Sequence, residues 1–369
     1  MYVDFTIRHY GKATVVFDGY SGGPSIKDNT HQRRGKVNTH PIVNFNADTE
    51  FSGKREDFLA RDSNKQGLID LISDGLRQKD CTVINAVNDA DVDIAKAAVD
   101  SSCHHSTTLI GEDTDLLILL LHYASTCMQE LYFRSDNSTS KTRKIYDIRR
   151  IRLALGQDLC SKLLFLHGFT GCDTTSRIFG IGKRPIFNKL VKGEPTIRSC
   201  ADAFTLPNQT TDGIKNLGAQ AMAVVCGGKC TDSLASLRFK VFNQKVASAK
   251  SFVSPERLPP TASATEFHSL RTYYQIMVWT GAEANMEASD WGWKRENNLF
   301  VPIMSVGSAA PYYLLKMIHC ACSSNCRSNR CSCRGYGLPC HVVCGPCQAG
   351  SCENPFNHVT DDSDQEEQE

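Results

Sequence analysis

Nine cysteines fall between Cys320 and Cys352, and they limit what that stretch can be. They are Cys320, Cys322, Cys326, Cys331, Cys333, Cys340, Cys344, Cys347 and Cys352. So short a segment has no room for a hydrophobic core, so a cross-link must hold it. Zinc is the expectation, because thiolates are good ligands for it and it takes four of them in a tetrahedron. Three zinc ions need twelve ligand positions, and nine thiolates supply twelve when three of them bridge two ions. That arrangement leaves excess negative charge, which Arg327, Arg330 and Arg334 inside the run are placed to offset. The competing reading is a secreted disulfide knot. An odd cysteine count and an N-terminal stretch unlike a signal peptide both speak against it.

The order of the motif is Cys-x-Cys, a third Cys, a second Cys-x-Cys, a glycine-containing turn, then closely spaced cysteines and Asn354. It resembles the tesmin-type CXC domain, a cysteine-rich DNA-binding module. The resemblance implies a zinc-held element that contacts DNA. The tesmin family usually carries two such repeats and a Tyr before the second Cys-x-Cys; this chain has one repeat, with Arg330 at that place.

With 369 residues the chain is long enough for two or three domains. A formal net charge of +1 does not by itself mark a nucleic-acid binder. The longest apolar run, Leu116 to Leu121, is far too short to span a bilayer, so no membrane partner is expected. The other cysteines are scattered like the buried thiols of a reducing compartment, which predicts an intracellular protein. Cys226 and Cys230 read as two free thiols rather than a metal pair. The last nine residues carry six acids, a run expected to be a solvated, disordered tail.

Upstream, apolar runs alternate with helical periodicity. Thr14–Phe17 reads as a buried strand ending at Asp18-Gly19, and Gly22, Gly23 and Pro24 then break the chain. A basic stretch follows, holding Lys27, Arg33, Arg34 and Lys36, with His31 and His40 nearby. Apolar spacing over 66–76 predicts an amphipathic helix, 82–87 a strand, 89–99 a helix with acids at its start, and 107–110 a strand. The Leu-rich run after it and the segment 159–166 are core, with helix or strand undecided. From Arg257 the composition reads as a linker, then a helical piece over 268–279. Trp291 to Pro302 reads as irregular. Alternating strands and helices predict an α/β fold with a mostly parallel sheet, whose site lies at the carboxyl ends of the strands.

Several of those ends carry acids: Asp18, Asp89, Asp91, Asp113, Asp115 and Asp173. Each alone reads as a cap or turn residue. Carboxylates about 4 Å apart repel by about 1 kcal/mol per pair in water, and by about 4 kcal/mol at an effective dielectric near 20. Convergence therefore needs counter-charge, and hard divalent cations are suited to oxygen ligands. Two magnesium or manganese ions held by such a group would support phosphodiester hydrolysis.

In order, these motifs resemble the flap-endonuclease and XPG-type 5′ nucleases of the PIN-like superfamily, over about residues 10 to 195. Val15-Val-Phe-Asp18-Gly19 resembles a strand carrying a metal-binding Asp. The basic segment with Lys27, Arg33 and Arg34 resembles one that contacts the DNA strand. Asp89-Ala-Asp91 resembles a Glu-Ala-Glu motif with both acids shortened, and Asp113-Thr-Asp115 the family's paired aspartates. Gly171-Cys172-Asp173 matches a Gly-Cys-Asp, and Gly180-Ile-Gly182-Lys183 sits where the family has a phosphate-binding helix-hairpin-helix. The family opens with a further strand bearing another metal-binding Asp. No such segment precedes Thr14, so the resemblance implies either a fragment or an incomplete site. The combination also resembles uncharacterised animal proteins with a PIN-like region and a Cys-rich tail, some of them associated with mobile elements.

The expected architecture is an α/β, PIN-like region over 1–200, lacking the N-terminal strand and carrying a helix-hairpin-helix. A helical extension and linker over 201–310, a CXC-like zinc module over 311–354 and an acidic tail over 355–369 follow. Three functions stay open. One is a metal-dependent, structure-selective nuclease tethered to DNA, rather than RNA, by its zinc module. Another is a catalytically inactive DNA-binding or chromatin-associated protein retaining the nuclease scaffold. A zinc-held protein-interaction module is a third. A DNA partner implies a nuclear location.

Overall fold

In the computed structural model each short β-branched run forms a four-residue strand followed by a turn. The structure describes residues 1–20, 25–27, 41–50, 53–87, 89–124, 129–136, 144–248, 255–297, 299–306, 319–341, 344–350 and 352–354. Arg33, Arg34 and the acidic tail lie outside the described residues. The chain divides into two units, Met1–Ser305 and Val306–Glu369.

In the first unit, α1 (Tyr2–Tyr10) precedes β1 (Thr14–Phe17), and α2 (Arg55–Leu59) and α3 (Asp62–Arg77) lead to β2 (Thr82–Asn85). The two strands pair in parallel, Thr14 opposite Thr82 and Phe17 opposite Asn85. Gly19 then passes so close to the carbonyls of Ala86 and Val87 that a β-carbon would overlap them. After α4 (Asp91–Ser102) come β3 (Thr107–Ile110), α5 (Thr114–Tyr123) and β4 (Leu131–Arg134). β3 and β4 are parallel, and β5 (Ile145–Asp147) closes antiparallel on β4. The parallel pairing expected from the βα alternation is therefore present. Among the described residues it is split between two small sheets, β1–β2 and β3–β4–β5, and the fold is a helix-rich α/β arrangement. α4 packs on both sheets.

The undecided Leu-rich run is helical. Asp113 caps α5 through its side chain, which accepts from the Asp115 amide at 3.1 Å, and a capped start outweighs an apolar run with no periodicity of its own. The second undecided segment belongs to α7 (Gln157–Thr170), which follows α6 (Ile148–Leu155). α7 is buried on all sides from Lys162 to Thr170, which explains its lack of an amphipathic pattern. Around it pack α5, α6, α8 (Lys183–Val191), α9 (Pro195–Thr205) and α12 (Ala262–Thr280). α12 also lies along α10 (Thr211–Val225), where Gly218 meets Ser269 with no space for a larger side chain. One continuous core runs from Ala95 on α4 to Trp291, so the helices beyond residue 200 share it with the strands.

Two segments differ from expectation. The linker ends earlier than its composition suggests. Thr261 accepts from the Ala264 amide at 3.2 Å and starts α12 directly after Pro259-Pro260. The stretch after Trp291 is a hairpin of β6 (Trp293–Glu296) and β7 (Leu299–Pro302), with Asn297 in the left-handed region at its turn. No helix among the described residues is long and apolar enough to cross a membrane.

In the second unit, seven cysteine side chains form the buried centre and α13 (Ser332–Gly335) is a single turn. Asn354 closes the module. Its Nδ2 donates to Leu338 O at 2.8 Å, and its carbonyl accepts from the Cys340 amide at 2.6 Å.

Candidate acidic centre and cysteine cluster

Two helix starts organise the acids. Asp89 and Asp91 flank Ala90, the cap of α4, while Asp113 and Asp115 open α5, and the two helices pack together. Helix N-termini favour negative charge, which offsets part of the repulsion. Asp18, leaving β1, accepts from the Ala90 amide at 3.0 Å and so ties the first strand to the start of α4.

A cation already lies among these acids. The Lys27 ammonium is 2.6 Å from Asp89 Oδ2 and 2.7 Å from Asp91 Oδ2, with its side chain only 11% exposed. One positive charge here faces two part-buried carboxylates. Burial, with Asp91 and Asp18 adding repulsion, pushes the Asp89 carboxyl up to about 6 although Lys27 opposes it. Burial also raises Asp91 against the pull of Lys27, with Asp115 and Asp113 adding to the rise. Lys27 is itself held above the usual lysine range by both aspartates, which outweigh its burial.

Asp115 is buried and has its own partner. His167 Nε2, from the buried helix α7, lies 2.5 Å from Asp115 Oδ1. Burial would raise this carboxyl, but the His167 hydrogen bond and charge, with Lys27 and Lys183, hold it low. The other His167 nitrogen, Nδ1, is 3.0 Å from Lys183 Nζ, which also donates to Gly171 O at 2.8 Å. Lys183 thus turns its ammonium inward, onto the end of α7. Gly180 and Gly182 remain exposed in the turn before α8, Gly180 at φ +73°, with open space around both α-carbons. Asp173 stands half-buried in the turn after α7, beside Cys172, whose amide donates to Thr175 Oγ1 at 3.0 Å.

The structure therefore brings Asp18, Asp89, Asp91, Asp113 and Asp115 into mutual electrostatic reach, with Lys27 among them. Among the described residues it does not bring ligand oxygens of any three within 4.8 Å. Asp89 and Asp91 hold one positive charge between them, and carboxylate oxygens are the donor type that hard divalent ions take. His167 is the member that residue reading missed. Its signal was a lone polar ring in the apolar run Leu163–Phe169, where a buried nitrogen must find a partner.

The cysteines form two tetrads of buried sulfurs, Cys320, Cys333, Cys340 and Cys344, and Cys320, Cys326, Cys340 and Cys347, each within 4.8 Å. Cys320 and Cys340 belong to both. Separations such as 3.8 Å for Cys320–Cys326 and 3.6 Å for Cys333–Cys344 approximate the edge of a tetrahedron around an ion with bonds of about 2.3 Å. No disulfide joins any of the described cysteines. Burial, then Cys344, push the Cys333 thiol up to about 12, so a thiolate there requires a cation beside it. This donor set fits zinc. Cys322, Cys331 and Cys352 stand outside both tetrads. Arg327 is paired with Glu353 at 2.5 Å and Arg334 donates to Cys326 O at 3.0 Å, so these arginines brace the module as well as carrying charge.

No protein-family model matches the chain, and no curated protein does. Among solved structures, it is similar to the catalytic core of Rad2 in complex with DNA substrate. The identity is 15% and the TM-score 0.35, over 76% of this chain and 77% of that one.

Proposed function

We propose that the first unit is a PIN-like, divalent-metal-dependent nuclease that hydrolyses phosphodiesters in structured DNA, with the cysteine module as its zinc-held DNA tether. The observation that carries this reading is the Lys27 ammonium clamped between Asp89 and Asp91, opposite Asp113 and Asp115. Asp89 and Asp91, both part-buried, share one positive charge, and Asp113 and Asp115 at the start of α5 add repulsion on Asp91, an arrangement a further cation would relieve.

Asp89, Asp91, Asp113 and Asp115 would hold magnesium or manganese, with Asp18 and Asp173 completing the shell. Bound there, the ions would supply an activated water and offset charge on the leaving oxygen. His167 fixes the Asp115 carboxylate in one orientation. The Asp18 bond to the Ala90 amide keeps the first strand in register with α4. The exposed Gly180–Gly182 turn offers backbone amides to a phosphate. Lys183 supports that turn from inside, and Arg33 and Arg34 of the basic run would add positive charge for the strand. Zinc in the second unit, three ions if Cys322, Cys331 and Cys352 join the two tetrads, would order it for DNA contact. A nuclear location follows from that partner.

The test is cleavage of a labelled 5′-flap DNA with manganese, beside Asp115→Asn. Cutting that vanishes in the variant supports the nuclease. The separation of the acids favours a second reading, a DNA-binding protein that keeps the scaffold without turnover. DNA binding with no cutting by either protein would select it.

A further inference from the structure

A cavity opens beside the Gly180 turn, and among the described residues no acid of the acidic centre lines it. The cavity, of about 700 Å³, is enclosed by the turn 176–181, α10, the helix Leu234–Ser248, the 255–260 loop and α12. That volume falls in the range of small-ligand pockets.

Its chemistry is uneven. Among the described residues, Arg177, Arg238, Lys245, Arg257 and Arg271 line it, against one acid, Glu256. Between the cations the wall is apolar, and Phe179, 56% exposed, forms part of the lining. Two buried groups lining it lack hydrogen-bond partners among the described residues. Thr265, 0% exposed, has a hydroxyl with no hydrogen bond, and Arg271, 1% exposed, has an unpaired Nε. The remaining Arg271 hydrogen bonds go to the carbonyls of Gly292 and Ile303, so the guanidinium is fixed in place while Nε still needs an acceptor. A buried donor left unpaired costs free energy that a ligand's acceptor would recover.

We propose that this cavity binds a nucleotide, with its phosphate among the arginines and its base against Phe179 and the apolar wall. Cations alone would suit any anion; an aromatic face and apolar wall beside them select one with a flat, weakly polar ring. The same chemistry is offered by a free mononucleotide and by an unpaired residue of a DNA strand.

The experiment measures binding of thymidine 5′-monophosphate by calorimetry and of a fluorescein-labelled dT10 strand by anisotropy. The full zinc-loaded chain is used with no magnesium or manganese added, so the result does not depend on whether the acidic centre cleaves. Arg177 and Arg257 are exposed, so R177A/R257A should leave the fold intact, and T265V removes only the unpaired hydroxyl. Charge-assisted contacts to phosphate predict a loss of about tenfold or more in the double variant. T265V should bind more weakly than the parent chain. Mononucleotide competing with dT10 would identify a strand residue as the occupant, and mononucleotide binding alone a free nucleotide; both support the site. No binding of either probe, or binding unchanged in both variants, overturns it.

Discussion

Lys27 Nζ lies 2.6 Å from Asp89 Oδ2 although the two residues belong to different parts of the chain, and the same ammonium reaches Asp91. The lysine acts as a tethered counter-ion, occupying space that a divalent cation would share. Lys27→Met should therefore bind manganese about tenfold more tightly by calorimetry. In metal-free buffer it should lose roughly 2 kcal/mol or more of stability, because two part-buried carboxylates are left without their partner. Weaker manganese binding in the variant would show that Lys27 assists the ion instead of competing with it.

His167 holds Asp115 on one side and meets Lys183 on the other. Removing it leaves the buried Asp115 carboxylate without its hydrogen-bond donor and Lys183 without its ring partner. His167→Ala should cost about 2–4 kcal/mol in urea unfolding. His167→Gln, which can still donate to Asp115, should recover part of that. Equal losses in both variants would mean that ring packing, and not the hydrogen bond, carries the effect.

His268 is enclosed in the core, its Nε2 donating to Phe169 O at 2.9 Å. Burial holds its pKa down at about 4, outweighing the bond to Phe169, while an unfolded histidine titrates near 6.5. Between those values the unfolded chain binds a proton that the folded chain does not. Stability contributed by neutral His268 is thus present above about pH 6.5 and lost as pH falls towards 4, on the order of 3 kcal/mol in all. Urea midpoints from pH 7.5 to 5 should fall more steeply for the parent chain than for His268→Gln. Parallel slopes would refute the assignment.

Cys320 and Cys340 belong to both sulfur tetrads, whereas Cys344 belongs to one. Elemental analysis of the purified chain should show Cys344→Ser losing about one zinc ion, and Cys320→Ser or Cys340→Ser losing at least two. Equal loss in all three would mean that the metals are held as a single all-or-none cluster.

Local chemistry made much of this arrangement legible. Val15, Val16 and Phe17 are β-branched or aromatic and bounded by Asp-Gly, and they form the strand their composition predicts. Six of the nine cysteines meet in the two sulfur tetrads, while Cys322, Cys331 and Cys352, equally prominent in the spacing, do not. Leu116–Leu121 and Leu163–Leu166 stayed ambiguous because elements buried all round lose the periodicity that distinguishes helix from strand. The hairpin after Trp291 was hidden by four-residue strands and an Asn turn. The lysines were the least readable. Lys27 and Lys183 resemble phosphate-steering residues, yet both ammonium groups point into the protein. A long side chain takes its direction from tertiary neighbours that no local pattern encodes.

The division of the strands into two small sheets has a mechanical consequence. Asp18 and Asp89 follow strands of one sheet, Asp113 follows a strand of the other, and α4 packs against both. Among the described residues no peptide ladder joins β1 to β3, so the span between the two sets of carboxylates is kept by side-chain packing alone. Such packing yields more readily than a row of backbone hydrogen bonds. The acidic centre is accordingly built like a caliper with α4 as its spring, and if it holds the divalent ion proposed above, that ion's radius would set how far the jaws stand apart.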